Sequence, residues 1–190
     1  QVIVTTSWDD GHKLDLRLAK LLKKYNIKGT FYVSPNNREF KKEDLLSDKE
    51  ILELGKNFEI GAHTMTHPRL TKISLEEAKK EIVDSKKYLE KLTGKEIKSF
   101  CYPGGDYNKE IRDLVKESGF IYSRTTKQIV TKKSKDNFKS DTTLQIHTLT
   151  IRMVLGEIKY SIKGEIKIIP LLFTKNWDTM AKRLFDYVRK

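Results

Sequence analysis

The chain has 190 residues, of which 37% are hydrophobic and 34% charged, with a formal net charge of +12. This length suits one domain spanning 1–190 with its own core, and the composition excludes an intrinsically disordered chain. No apolar run of about 18 residues occurs, which excludes a transmembrane helix, and the lone Cys101 excludes an internal disulfide or a cysteine-rich zinc site.

The positive charge is mostly lysine, spread along the chain on the polar faces of predicted helices. That pattern reads as a solvated surface. A nucleic-acid binder would show a clustered basic face with exposed aromatics, so nucleic acid is an unlikely partner. No signal peptide opens the sequence, which slightly favours the cytoplasm over the cell surface.

In chain order, Val2–Trp8 is a predicted strand that stops at Asp9-Asp10-Gly11-His12. Lys13–Tyr25 follows as a helix, with Leu14, Leu18, Leu21 and Leu22 expected on its buried face. Gly29–Ser34 is the next strand, closed by Pro35-Asn36-Asn37. Ser47-Asp48-Lys49-Glu50 is a capping box that opens a short helix ending at Gly55. Phe58–Ala62 is a strand that runs into His63-Thr64-Met65-Thr66-His67. A second capping box, Ser74-Leu75-Glu76-Glu77, starts a helix with Ala78, Ile82, Tyr88, Leu89 and Leu92 inward and Gly94 past its end. Ile97–Tyr102 is a strand, Lys109–Ser118 a helix stopped by Gly119, and Phe120–Arg124 a strand. Residues 125–142 read as a loop, Leu144–Leu149 as a strand and Trp177–Arg189 as an amphipathic helix. Residues 150–173 fit either state. Alternating strands and helices predict a parallel sheet, and such sheets carry function at the C-terminal ends of their strands. Asp9, Asp10, His63 and the run Tyr102–Gly105 all fall at such ends.

Three segments carry chemistry. His63 and His67 lie four residues apart with no cysteine near them. Imidazole nitrogens with a carboxylate suit Zn²⁺ or a similar divalent ion. Asp9 and Asp10 should point in different directions, because side chains alternate along a strand. One can then ligate a metal while the other acts as base toward a water. In Phe100-Cys101-Tyr102-Pro103-Gly104-Gly105, the glycines allow close backbone approach and can offer N–H groups to a developing oxyanion. Taken singly, each segment also has a plain structural reading: two ordinary histidines, a helix-capping turn and a strand-to-helix turn.

Together the three resemble the polysaccharide deacetylase family of carbohydrate esterases. Ser7-Trp8-Asp9-Asp10-Gly11-His12 matches its first motif and His63-Thr64-Met65-Thr66-His67 its second, over roughly residues 1–125. The resemblance implies a distorted (β/α) barrel of about seven strands, possibly incomplete at the C-terminus. It implies Asp10, His63 and His67 as metal ligands, Asp9 as general base and an N-acetylated glycan as substrate. The family's third motif usually carries an Arg that holds the base carboxylate. Here Cys101 stands at that position, so the group that orients Asp9 is unidentified. The oxyanion N–H, commonly from a Tyr, would come from Gly104. The family's general acid is a His on the last barrel strand, and His147 is the remaining candidate for it. His12 better fits a capping or supporting role. The expected activity is metal-dependent hydrolysis of an N-acetyl amide. The alternative is a non-catalytic or truncated relative that binds metal and glycan without turnover.

Overall fold

A computed structural model describes residues 5–125 and 136–139. These belong to one compact unit, Ile3–Gln145. Five parallel strands stand side by side in chain order: β1 (Thr5–Trp8), β2 (Lys28–Val33), β3 (Glu59–Ala62), β4 (Ser99–Cys101) and β5 (Tyr122–Arg124). The sheet curls into a half-barrel, in keeping with a distorted (β/α) barrel. The helices between them are α1 (Leu14–Lys24), α2 (Asp48–Gly55), α3 (Leu75–Thr93) and α4 (Lys109–Glu117). The strand expected at 144–149, the ambiguous segment 150–173 and the helix expected at 177–189 lie outside the described residues.

Period-two alternation divides each strand between two environments. Phe31, Val33, Ile60, Ala62, Phe100 and Tyr102 are buried in the core with Ile51 and Leu54 of α2, Ala78, Ile82 and Leu89 of α3, and Ile111 and Val115 of α4. The residues between them form a polar interior face. At its lower end Glu59 accepts hydrogen bonds from Thr30 Oγ1 (2.8 Å), Ser99 Oγ (2.9 Å) and Tyr122 OH (3.0 Å). Above that layer lie Tyr32 and then Arg124, whose Cζ stands 5.3 Å from the Tyr32 ring centre. Gly61 makes room for this column. A Cβ there would lie 2.5 Å from Tyr32 ring carbons and 2.7 Å from Ser99 Oγ.

Helix boundaries follow their local signals. Both capping boxes form, Ser47 with Glu50 and Ser74 with Glu77. Gly94 ends α3 in the left-handed conformation at φ 66°, which a residue with a Cβ adopts at a cost.

The buried face of α1 differs from the expectation. Asp15, Ala19 and Leu22 are buried, whereas Leu14 is 65% and Leu21 50% exposed. The inward stripe is rotated by about one residue, which carries Asp15 inward, within reach of the charges of Asp10 and Asp9. Trp8, partly buried, packs against the core.

Candidate metal centre

The strand β1 ends at Trp8, and the chain then turns through two left-handed residues, Asp10 (φ 82°) and Gly11 (φ 76°). Asp9 and Asp10 do separate as expected. The positive φ at Asp10, rather than strand pleating, is what parts them. Thr64 (φ 65°) and His67 (φ 63°) are left-handed as well. Among the described residues only Asn26 joins these three as non-glycine positions with positive φ. Such conformations cost on the order of 1–3 kcal/mol each and persist where surroundings over-determine them.

The surroundings do so here. The Glu81 carboxylate, on α3, accepts from the backbone N–H of Met65 (2.8 Å) and Thr66 (2.9 Å) and from Thr66 Oγ1 (2.7 Å). Thr64 Oγ1 accepts from the backbone N–H of His67 at 3.0 Å. The loop after β2 grips the same segment, with Asn36 N–H donating to the Met65 carbonyl at 2.8 Å and Arg38 N–H to that of Thr66 at 3.3 Å.

Three donor atoms converge as a result. His63 Nε2 and His67 Nε2 lie 3.1 Å apart. Asp10 Oδ1 is 3.5 Å from the first and 3.2 Å from the second. Two imidazole lone pairs cannot face each other at this distance. Either a proton or a cation must lie between them. The rest of each ring supports the same orientation. His63 Nδ1–H donates to the Cys101 carbonyl at 2.7 Å, which leaves Nε2 as the atom a metal could use. Glu39 Oε1 stands 3.0 Å from His67 Nδ1, off the hydrogen-bonding axis of that buried nitrogen.

The charges fit. Burial would raise the Asp10 pKa, but its bond to His63 and the nearby His63, His67 and His12 rings outweigh that and lower it. Burial disfavours a charged His63, yet Cys101 and the Asp10 carboxylate prevail and raise its pKa. Burial and the neighbouring His63 lower that of His67. These opposite directions favour one imidazolium over two in the pair, and a bound divalent ion would displace the extra proton. Two imidazoles and one carboxylate form a borderline N/O set with positions left open, the donor chemistry of a catalytic divalent ion.

A second trio, Asp9, His63 and Cys101, also has ligand atoms close together. It is the poorer cation site. Burial, and then the Asp9 charge, raise the Cys101 thiol pKa and disfavour the thiolate. The Asp9 carboxylate is already engaged, because Arg124 Nη2 donates to both of its oxygens.

Arg124 is thus the group that orients Asp9. It reaches from the end of β5 across the interior face, with its Nη2 3.1 Å from Cys101 Sγ and its Nη1 3.2 Å from the Thr125 carbonyl. The Cys101 thiol in turn lies 3.7 Å from Asp9 Oδ2. Sequence reasoning looked for this residue on β4 and missed it on β5. The available signal was a lone arginine closing a predicted strand, at the end where function sits.

Gly104 occupies a tight turn, Pro103–Gly105, with φ 60°. His12 Nδ1 accepts from the Leu14 N–H at the start of α1, at 3.1 Å. His147 lies outside the described residues.

A five-stranded parallel half-barrel with paired aspartates after its first strand and paired histidines after its third is the arrangement to which the sequence comparisons also lead. Residues 1–123 match the polysaccharide deacetylase family, and the chain belongs to it. A peptidoglycan-N-acetylmuramic acid deacetylase of Bacillus subtilis is 31% identical over 118 residues, 61% of this chain and 24% of its own length. A peptidoglycan-N-acetylglucosamine deacetylase of Bacillus cereus is 27% identical over 185 residues, 90% of this chain and 64% of its own. The chain thus spans less than two thirds of the length of these curated relatives. A Streptococcus pyogenes deacetylase solved with acetate superposes with a TM-score of 0.71 at 22% identity, over 82% of this chain and 70% of that one. A polysaccharide deacetylase structure from Bacillus cereus gives 0.64 at 26% identity, over 81% and 50%. No helix among the described residues is long and apolar enough to cross a membrane.

Proposed function

We propose that this chain is a divalent-metal-dependent carbohydrate N-deacetylase that hydrolyses the N-acetyl amide of an acetylated glycan, with Zn²⁺ as the preferred ion. The observation that carries the reading is the split between the adjacent aspartates. Asp10 joins His63 and His67 at one point, while Asp9 is held apart by Arg124 on the same interior face.

In this reading Asp10, His63 and His67 hold the ion. When bound, it would supply Lewis-acid polarisation of the amide carbonyl and acidify a water. Asp9 takes the proton of the attacking water as its oxygen bonds to the carbonyl carbon. Arg124 keeps that carboxylate in one orientation. The Gly104 N–H is the donor proposed for the oxyanion. As the carbon–nitrogen bond breaks, acetate leaves and the sugar amine takes up a proton, which falls to His147.

The test pairs two readouts. Asp9→Asn should retain bound metal while hydrolysis of N-acetylglucosamine oligomers falls by roughly 10²–10⁴-fold, the usual contribution of a general base. His63→Ala and His67→Ala should lose the metal itself. Undiminished metal stoichiometry in both histidine variants would sink the site.

A further inference from the structure

Two residues beyond His67, the Arg69 side chain turns back over the turn that follows β4. A Cβ on Gly104 would stand 3.6 Å from Arg69 Cζ and 3.7 Å from its Nε and Nη2. One edge of this guanidinium is anchored. Nη1 donates to Asp106 Oδ2 at 3.3 Å, and Thr71 Oγ1 donates to the same oxygen at 3.4 Å. The opposite edge, Nε with Nη2, has no partner among the described residues, and the side chain is 65% exposed. That edge carries the two parallel N–H groups that match a carboxylate bidentately. Both nitrogens lie over Gly104, where a Cβ would meet the flat face of the guanidinium rather than this edge.

The position gives the edge its meaning. Arg69 follows the loop that carries His67, and Gly104 follows Cys101, whose carbonyl holds the ring of His63. A cation held at one edge, with its recognition edge unpaired among the described residues, therefore stands at the junction of the two loops that frame the candidate metal centre. Asp106 fixes the direction of the fork without occupying it, which lowers the entropy lost when an anion docks.

We propose that Arg69 is a specificity residue that selects N-acetylated glycans bearing a carboxylate on the sugar, the carboxylate docking in the guanidinium plane on the Nε–Nη2 edge. The inference rests on the deacetylase reading for its reaction, though not for its binding contact. Arginine is required rather than lysine, because the recognition is planar and bidentate. The contact is exposed, so it should weaken with salt.

The experiment uses the full chain loaded with Zn²⁺ and two matched substrates. One is a glycan strand containing N-acetylmuramic acid, and the other is the same strand with its carboxylates converted to neutral methyl amides. The readouts are kcat/KM and, separately, binding by calorimetry. The acidic strand should be favoured by about tenfold, the scale of a charge-assisted hydrogen-bonded contact discounted for exposure. In Arg69→Gln and Arg69→Lys the ratio of acidic to neutral should fall toward one. A merely structural role would lower both substrates alike and leave the ratio where it was, and that result overturns the proposal. So does a wild-type ratio of one in both readouts. If neither strand is hydrolysed but the binding ratio still depends on Arg69, the docking contact stands and the deacetylase reading is what fails.

Discussion

Asp15 offers the sharpest physical test of the region beneath the site. It is 8% exposed, and its Oδ2 is buried with no hydrogen-bond partner among the described residues. Burial first, and then the charges of Asp10 and Asp9, push its pKa from 3.8 up to about 7. A carboxyl raised in the folded state keeps its proton between those values while the unfolded chain has lost it. Folded protein then binds more protons than unfolded, so the Asp15 contribution to stability falls as pH rises from about 4 to about 7, and levels off above. Three pKa units correspond to about 4 kcal/mol at 1.36 kcal/mol per unit. Asp15→Asn keeps the shape and removes the ionisation. In urea unfolding with a chelator present, the stability of the variant relative to wild type should rise by about 4 kcal/mol between pH 4 and pH 8. The histidines and Asp10 titrate in both proteins and largely cancel in the difference. Adding a divalent ion should flatten the effect, because a cation held by Asp10 offsets the like charges that face Asp15. Parallel stability curves for the two proteins across this pH range would refute the argument.

Other outcomes follow from the same contacts. Arg124→Met removes the partner of a largely buried carboxylate and should destabilise the fold by about 3–5 kcal/mol, measured by denaturant unfolding, with metal content retained by the folded fraction. Glu81→Gln weakens the clamp on the 65–67 loop and should loosen metal binding by about 10–100-fold in a competitive chelator titration, the range seen when groups supporting metal ligands are lost. Gly61→Ala drives a methyl group into the Tyr32 ring and should cost about 1–3 kcal/mol of stability by overpacking, read from thermal unfolding.

Much of this architecture is legible in the sequence because its signals are local. Ser47 with Glu50, Ser74 with Glu77 and Gly94 each mark a helix boundary by chemistry within four residues, and each is found in place. Asp9, Asp10, His63 and His67 are likewise readable, since strand-end position follows from pattern alone. The features that escaped are tertiary. Which face of α1 turns inward depends on what it packs against, and four leucines in the sequence did not reveal that Asp15 belongs to the buried face while Leu14 and Leu21 do not. The clamp by Glu81 joins residues 15 and 16 apart through one carboxylate on an otherwise ordinary amphipathic helix. Arg124 is the clearest case, because nothing near Tyr122-Ser123-Arg124 marks it as the partner of a residue at the other end of the sheet.

That partnership bridges 115 positions of the chain. The atoms that would seize a cation all lie before residue 68, and the clamp on their loop is complete by Glu81. A chain emerging from the ribosome, at about 5–20 residues per second, therefore exposes every ligand several seconds before the arginine that steadies the base. Closing so long a loop is slow relative to local contacts. If the proposed function holds, capture of an ion and competence for chemistry would thus be separated in time, and the Asp9–Arg124 contact reports the docking of the fifth strand. A nascent chain halted between these points would carry all three proposed ligands with Asp9 still untethered.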